Sequence, residues 1–303
     1  MNILVTAKNG QLGWELERYF HESFQKSQDW TQCINLHCFD SKELDITDLA
    51  NIEKVFFEFR PDVVINAAAY TAVDQAESDT ESAYAVNEKG VGNLARSCKA
   101  IGAKLIHMST DFVFSANQNT PYQPEDSTGP LSVYGGSKLA GEILAKDILK
   151  EDVCVVRTSW VYSVHGNNFV KTMIRLMGEK EQLGVVADQI GTPTSARFLA
   201  NAIWQLAILF DKGEETQPVY HWTDLGVASW YDFAVAIQDF ALQEGLLQQA
   251  IPVNPIASEQ YLTPAARPSY SVMDTSGLRR ALSMSGVHWR SALGSMIKEL
   301  ATK

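Results

Sequence analysis

Hydrophobic positions in the first half of the chain fall into short unbroken runs separated by longer periodic ones. I-L-V-T (3–6), C-I-N-L-H-C-F (33–39), D-V-V-I-N (62–66), K-L-I-H-M-S (104–109) and V-C-V-V-R-T (153–158) lack polar alternation, the pattern of strands buried on both faces. Between them a 3.6-residue period predicts helices from Trp14 to about Gln25, Asp48 to Phe59, Asp79 to Ala100 and Val133 to Leu149. Thr47 is placed to cap the second helix, Arg60-Pro61 ends it, and Gly102 closes the third. Strands alternating with helices of this length specify an α/β fold, a doubly wound parallel sheet of the Rossmann type. Past about residue 157 the pattern loosens, and prolines gather at 252, 255, 264 and 268. The expected division is a dinucleotide-binding domain over 1–157, rejoined by segments near 188–212 and 227–243, and a smaller substrate-binding lobe formed mainly by 158–303.

Composition narrows the partners. The 303 residues carry 25 Lys and Arg against 36 Asp and Glu, a net charge of -11, which argues against nucleic acid and anionic membrane. An anionic ligand must therefore be attracted locally, at helix N-termini. The N-terminus does not read as a signal peptide, and the most apolar charge-free run, Phe198 to Phe210, is too short to span a bilayer. Cys33, Cys38, Cys98 and Cys154 form no C-x-x-C pair, and Cys33 and Cys38 should point to opposite faces of one strand. No H-x-x-x-H occurs, so no metal is expected, and the setting is read as cytoplasmic. A homodimer is compatible with the fold, but no stretch announces an interface.

The first strand runs into V-T-A-K-N-G-Q-L-G (5–13), a phosphate-loop pattern in which Gly10 and Gly13 are present and Ala7 replaces the first glycine. Such a loop, opening a helix, offers backbone amides to a pyrophosphate. Ala7 costs on the order of 1 kcal/mol if its φ is positive and is merely crowded otherwise. The end of the second strand should supply the group that meets the adenine ribose. His37 and Asp40 are the candidates there, and Asp45-Ile46 could flank the adenine. No arginine stands nearby to hold a 2′-phosphate, which leaves NADPH and NADH both open.

After the fourth strand comes S-T-D-F-V-F (109–114), and later Y-G-G-S-K (134–138) at a helix start. Tyr134 and Lys138 are four apart, so phenol and ammonium share a face. An ammonium beside a phenol should favour the phenolate and lower its pKa, suiting Tyr134 to give a proton to a carbonyl oxygen while Thr110 holds that oxygen. Singly each feature is bland; in chain order behind a dinucleotide loop they are specific.

The motifs G-Q-L-G, L-D-I-T-D (44–48), R-P-D-V-V-I-N-A-A-A-Y-T-A-V-D-Q-A-E (60–77), S-T-D-F-V-F, V-Y-G-G-S-K-L-A-G-E (133–142), R-T-S-W-V-Y (157–162), G-N-N-F-V-K-T-M (166–173), D-Q-I-G-T-P-T (188–194) and T-P-A-A-R-P (263–268) cover nearly the whole chain. With them the chain resembles the extended short-chain dehydrogenase/reductases, and among these the dTDP-4-dehydrorhamnose reductases. The resemblance implies an enzyme that reduces the 4-keto group of a nucleotide-activated deoxysugar with NADPH or NADH. It makes Tyr134 the proton donor, Lys138 its partner and ribose ligand, and Thr110 the orienter of the keto oxygen. Gly10, Gln11, Leu12, Asp45, Ile46, Ala69, Tyr70 and Thr71 would line the cofactor. Asp111 would touch the sugar, Trp160 would pack on it, and Asn168, Lys171 and Arg267 are candidates for the nucleotide end. Three departures stand out: Ala7, Phe112 where tyrosine is common, and the Gly135-Gly136 pair. Rival readings are a reductase or epimerase for another nucleotide sugar and a non-catalytic regulatory relative.

Overall fold

The computed structural model describes residues 1–24, 34–214 and 216–302. Five strands form at the apolar runs: β1 (Asn2–Thr6), β2 (Asn35–Phe39), β3 (Val63–Asn66), β4 (Lys104–Thr110) and β5 (Val153–Thr158). A sixth, β6 (Val219–His221), joins them from a region where the periodicity gave no signal. All pair in parallel in the order β2-β1-β3-β4-β5-β6. The chain goes from β1 outward to β2 and then crosses to β3 on the other side. That reversal leaves a crevice at the carboxyl ends of β1 and β3.

Helices cover both faces. Side chains alternate across each strand, so Ile3, Val5, Ile106 and Val156 meet α1 (Gln11–Tyr19) and, later in the chain, the helix Ala196–Asp211. Leu4, Val64, Leu105 and Val155 meet α2 (Leu49–Phe59), α3 (Val91–Ile101) and α4 (Val133–Leu149) on the other face. A separate core lies between α5 (Phe169–Glu179), α7 (Trp230–Gln243) and α8 (Trp289–Ala301). The helix Ala196–Asp211, α6, instead stays against α1, where the buried Trp204 indole donates to the Leu16 carbonyl at 2.9 Å.

Several local expectations are corrected. The first helix starts at Gln11, directly from the glycine loop, and passes into a π-helical turn at Phe20–Phe24. Its expected end at Gln25, together with Trp30 and Cys33, lies outside the described residues. Asp48, not Thr47, caps α2: its carboxylate accepts from the amides of Ala50 and Asn51, whereas the Thr47 hydroxyl is drawn to Asp45 at 2.8 Å. The predicted helix over 79–100 is interrupted by a π-helical turn, Ala85–Gly90. Residues 227–243, expected beside the sheet, form a short strand and α7 in the separate core. There Phe233, Ala234 and Ile237 are buried, and a Ser229–Asp232 capping box fixes the helix start.

Candidate active site

The glycine loop is built around its alanine. Ala7 has φ 58°, the left-handed region, so the methyl is carried at a cost rather than merely crowded. That conformation aims the Ala7 carbonyl back at the Gly10 amide, 2.9 Å away. A Cβ on Gly13 would stand 2.1 Å from the same oxygen, so only glycine lets the helix approach so closely. Gly10 caps α1 with no side chain, and the first turn holds no acidic residue, which leaves its amides to an anion. Next to this loop lies a cleft of about 540 Å³. Gly10, Gln11, Leu12, Ala69, Thr71, Thr110, Asp111, Tyr134, Lys138 and Trp160 all line it.

Across the cleft, β4 ends at Thr110, whose hydroxyl donates to Asp111 Oδ1 at 3.1 Å and accepts from the Phe112 amide. Two carboxyl or hydroxyl oxygens set the start of α4: Ser132 accepts from the Gly135 amide and Glu77 from the Val133 amide. A Cβ on Gly135 would lie 2.3 Å from the Phe112 carbonyl, so this glycine lets the start of α4 close on the turn after β4 and brings the Tyr134 phenol near the Thr110 hydroxyl. Phe112 packs edge-on against the Tyr134 ring at 5.5 Å. Lys138 is buried one turn further along, its ammonium donating to the Met108 carbonyl at 2.7 Å.

The electrostatics of this ligand-free cluster correct one expectation. Burial pushes the Tyr134 phenol up to about 12, against the hydrogen bond to Thr110, instead of Lys138 drawing it down. The lysine is engaged by Met108 and is itself lowered to about 8 by burial. Burial likewise raises Asp111 to about 6, against the Ser271 and Thr110 hydroxyls beside it, and its Oδ2 makes no hydrogen bond of good geometry. Thr158, in register with Thr110 at the end of β5, also carries a buried hydroxyl without a partner. Unpaired polar atoms, an uncapped helix start and a close glycine contact together suit a dinucleotide and a polar substrate.

Of the remaining predicted residues, Trp160 shares the cleft, whereas His37, Asp45, Ile46, Tyr70, Asn168, Lys171 and Arg267 do not line it. Trp160 has φ 46° and stacks on Trp230 at 3.6 Å, offering an aromatic wall. Exposed His37 stacks on Phe39 and meets Phe59 edge-on, away from the residues that line the cleft. Asp45 turns its carboxylate onto Thr47, and Ile46 is buried in the core against Gly90. Tyr70 presents its backbone to Asn87. Asn168 caps α5 and donates to Gln11, while Lys171 is tied to the carbonyls of Val164 and Gly166. Arg267 grips Asp74 with both Nη atoms, at 3.0 and 2.8 Å, beside an apolar trough of about 400 Å³ shared with Trp230 and Val186.

Sequence reasoning passed over four residues. Fully buried Asn87 clamps Tyr70 and Ser137, joining the segment after β3 to α4. Trp230 completes the aromatic wall. Glu142 and Arg157 form a buried pair behind Lys138. Glu142 could have been singled out by its spacing, four residues past Lys138; Asn87 and Trp230 gave no local signal.

The geometry agrees with what the chain is similar to. Residues 1–302 match the family model described as the RmlD substrate binding domain. The chain belongs to that family. It is 39% identical over 292 residues, 96% of each chain, to dTDP-4-dehydrorhamnose reductase of Aggregatibacter actinomycetemcomitans. It is 37% identical to the enzyme of that name from Escherichia coli K12, covering 100% of this chain and 99% of the other. Among solved structures, dTDP-4-dehydrorhamnose reductase from Bacillus anthracis in complex with NADP superposes with a TM-score of 0.87 at 35% identity, covering 98% of this chain and 99% of that one. Among the described residues no helix is long and apolar enough to cross a membrane, and no His, Cys, Asp and Glu group could hold a metal ion.

Proposed function

We propose that this chain is an NAD(P)H-dependent reductase that converts dTDP-4-dehydro-L-rhamnose to dTDP-L-rhamnose. The observation that carries the reading is the convergence of Thr110, Tyr134 and Lys138 on one cleft whose far end is the uncapped start of α1. When bound there, a reduced nicotinamide supplies the hydride that adds to C4 of the sugar. Tyr134 gives its phenolic proton to the C4 oxygen, so that the carbonyl gains one hydride and one proton and becomes the alcohol. The high pKa of the phenol keeps that proton in place through neutral pH. Thr110 donates a hydrogen bond to the same oxygen, and Lys138 offers a positive charge beside it. Trp160 packs on the deoxysugar, and the trough by Trp230 and Arg267 receives the base and diphosphate.

The test follows nicotinamide absorbance when the protein is mixed with the 4-keto substrate and either NADPH or NADH. Oxidation is expected with at least one of them, and Tyr134→Phe is expected to lose about a thousandfold in kcat while cofactor affinity stays within about threefold. A folded protein that binds cofactor yet oxidises neither would direct the reading to another nucleotide sugar.

A further inference from the structure

Between the short strand Val161–Tyr162 and α5, residues 163–168 form a strap that crosses to the glycine loop and the first turn of α1. The Ser163 hydroxyl donates to Glu15 Oε1 at 2.7 Å, and the Asn168 amide donates to Gln11 Oε1 at 3.0 Å. Between them the His165 imidazole stands 3.0 Å from the Asn9 carbonyl. A carbonyl only accepts, so His165 Nε2 carries the proton and donates it. The same ring lies flat on Trp14, with centroids 5.0 Å apart and planes 7° from parallel. From behind, the Lys171 ammonium of α5 holds the strap by the carbonyls of Val164 and Gly166. The reaction as described above makes no use of His165.

Where that bond falls suggests a use. Asn9 and Gly10 share a peptide unit that is held at both ends. The Gly10 amide donates to the Ala7 carbonyl at 2.9 Å, and the Asn9 carbonyl accepts from His165. The Asn9 side chain is engaged as well, its amide turned to Asp40 Oδ2. Asn9, Gly10 and Gln11 line the cleft, as do Gly166 and Asn167 of the strap, but His165 does not. The Asn9 carbonyl is thus turned toward a ring outside the cleft. Turned inward, that oxygen would bring the negative end of a peptide dipole to the start of α1 and offset the attraction of its amides for an anion. In a chain of net charge -11 that local attraction is what a dinucleotide depends on. We infer that His165 is a positioning residue for the dinucleotide, fixing the Asn9–Gly10 peptide from the lobe so that the first amides of α1 are left to the pyrophosphate. This rests on the cofactor half of the reductase reading.

The experiment measures dissociation constants of AMP and ADP by calorimetry for the wild type and two variants of the full chain. His165→Phe keeps a ring on Trp14 but has no N–H to donate, whereas His165→Gln keeps an amide nitrogen near the place of Nε2 and loses the ring. ADP, which carries both phosphates, should bind His165→Phe about tenfold more weakly, while AMP stays within about threefold of the wild type. His165→Gln should stay within about threefold for both. A strap that merely packs would weaken the two nucleotides equally, or the two variants alike. Either result overturns the inference, and so does unchanged ADP binding by folded His165→Phe. Amide exchange in the ligand-free protein reads the loop itself. The Gly10 amide should exchange about tenfold faster in His165→Phe and at the wild-type rate in His165→Gln; an unchanged rate in both overturns the inference whatever the nucleotides do. The two readings fail separately. A wild type that gives this pattern yet reduces no 4-keto sugar upholds the role of His165 and defeats the reductase. Turnover without the pattern does the reverse.

Discussion

On the sheet side of the cleft, Asp111 Oδ2 and Thr158 Oγ1 are buried without hydrogen-bond partners, and α1 begins with no side chain on its amides. On the lobe side the corresponding groups are already engaged. Asn168 caps a helix, Lys171 binds two carbonyls, and Arg267 holds Asp74, Thr263 and the Ala265 carbonyl. An unpaired buried polar atom costs about 1–3 kcal/mol, so the sheet side holds strain that ligand atoms can relieve. The lobe side must exchange its own contacts for those of a ligand. Under the proposed function, chemistry falls to the preset side and adjustable binding to the satisfied one.

The largest expected effect tests that strain. Asp111 has a folded pKa raised from 3.8 to about 6 by burial. Between those values the native chain holds a proton that the unfolded chain has lost, so this group's contribution to stability falls as pH rises, by about 3 kcal/mol in all. Asp111→Asn is spared the fall. Its stability relative to the wild type should rise by about 3 kcal/mol from about pH 4 to about pH 7, read by urea titration, while kcat drops. A constant difference across pH would mean that the sheet side stores no such strain. Next in size is Trp230→Ala, which removes the ring stacked on Trp160. It should raise KM for the sugar nucleotide about 10–30-fold and leave kcat within about threefold, because aromatic contact on the lobe side binds without reacting. A collapse of kcat at unchanged KM would break the comparison.

The same division explains what could be read from sequence. The sheet side is made of contiguous signals: β1 runs into the loop that starts α1, β4 runs into Thr110 and Asp111, and Tyr134 and Lys138 are one helical turn apart. Each is local, and each was legible. Asn168, Lys171 and Arg267 were legible as polar residues in family motifs, but their present partners lie on other segments; Asp74 is 193 positions from Arg267. Trp230 joins Trp160 only because α7 packs in the separate core, a tertiary choice that no periodicity within 227–243 records. Thr47 and Asp48 show the limit at short range. Both can cap a helix, and what decided between them was the competing carboxylate of Asp45.

A third, smaller effect concerns the ribose end. Asp40 follows β2, its Oδ1 held by the amides of Lys42 and Glu43 and its Oδ2 turned to Asn9 of the glycine loop. Those backbone amides keep its pKa below the usual carboxylate value. A carboxylate at the end of this strand accepts from ribose hydroxyls and repels a 2′-phosphate. The wild type should favour NADH, and Asp40→Asn should shift the ratio of the two dissociation constants toward NADPH by about tenfold, measured by cofactor fluorescence. An unchanged ratio would move the choice of cofactor to Lys8, which now pairs with Glu43 at 2.6 Å.

The smallest effect returns to Ala7, where strain on the sheet side can be removed without touching a reacting group. A non-glycine residue at φ 58° carries a penalty that glycine does not, while glycine gives the unfolded chain more freedom. The net gain for Ala7→Gly is about 0.5 kcal/mol, read as a higher urea midpoint. Cofactor affinity should stay within about threefold, because the Gly10 amide is already held by the Ala7 carbonyl and Gly13 already permits the close approach. Tenfold tighter binding would instead mean that the methyl obstructs the pyrophosphate. The unpaired atoms of the sheet side would then be only part of its preparation, with the loop itself left partly closed.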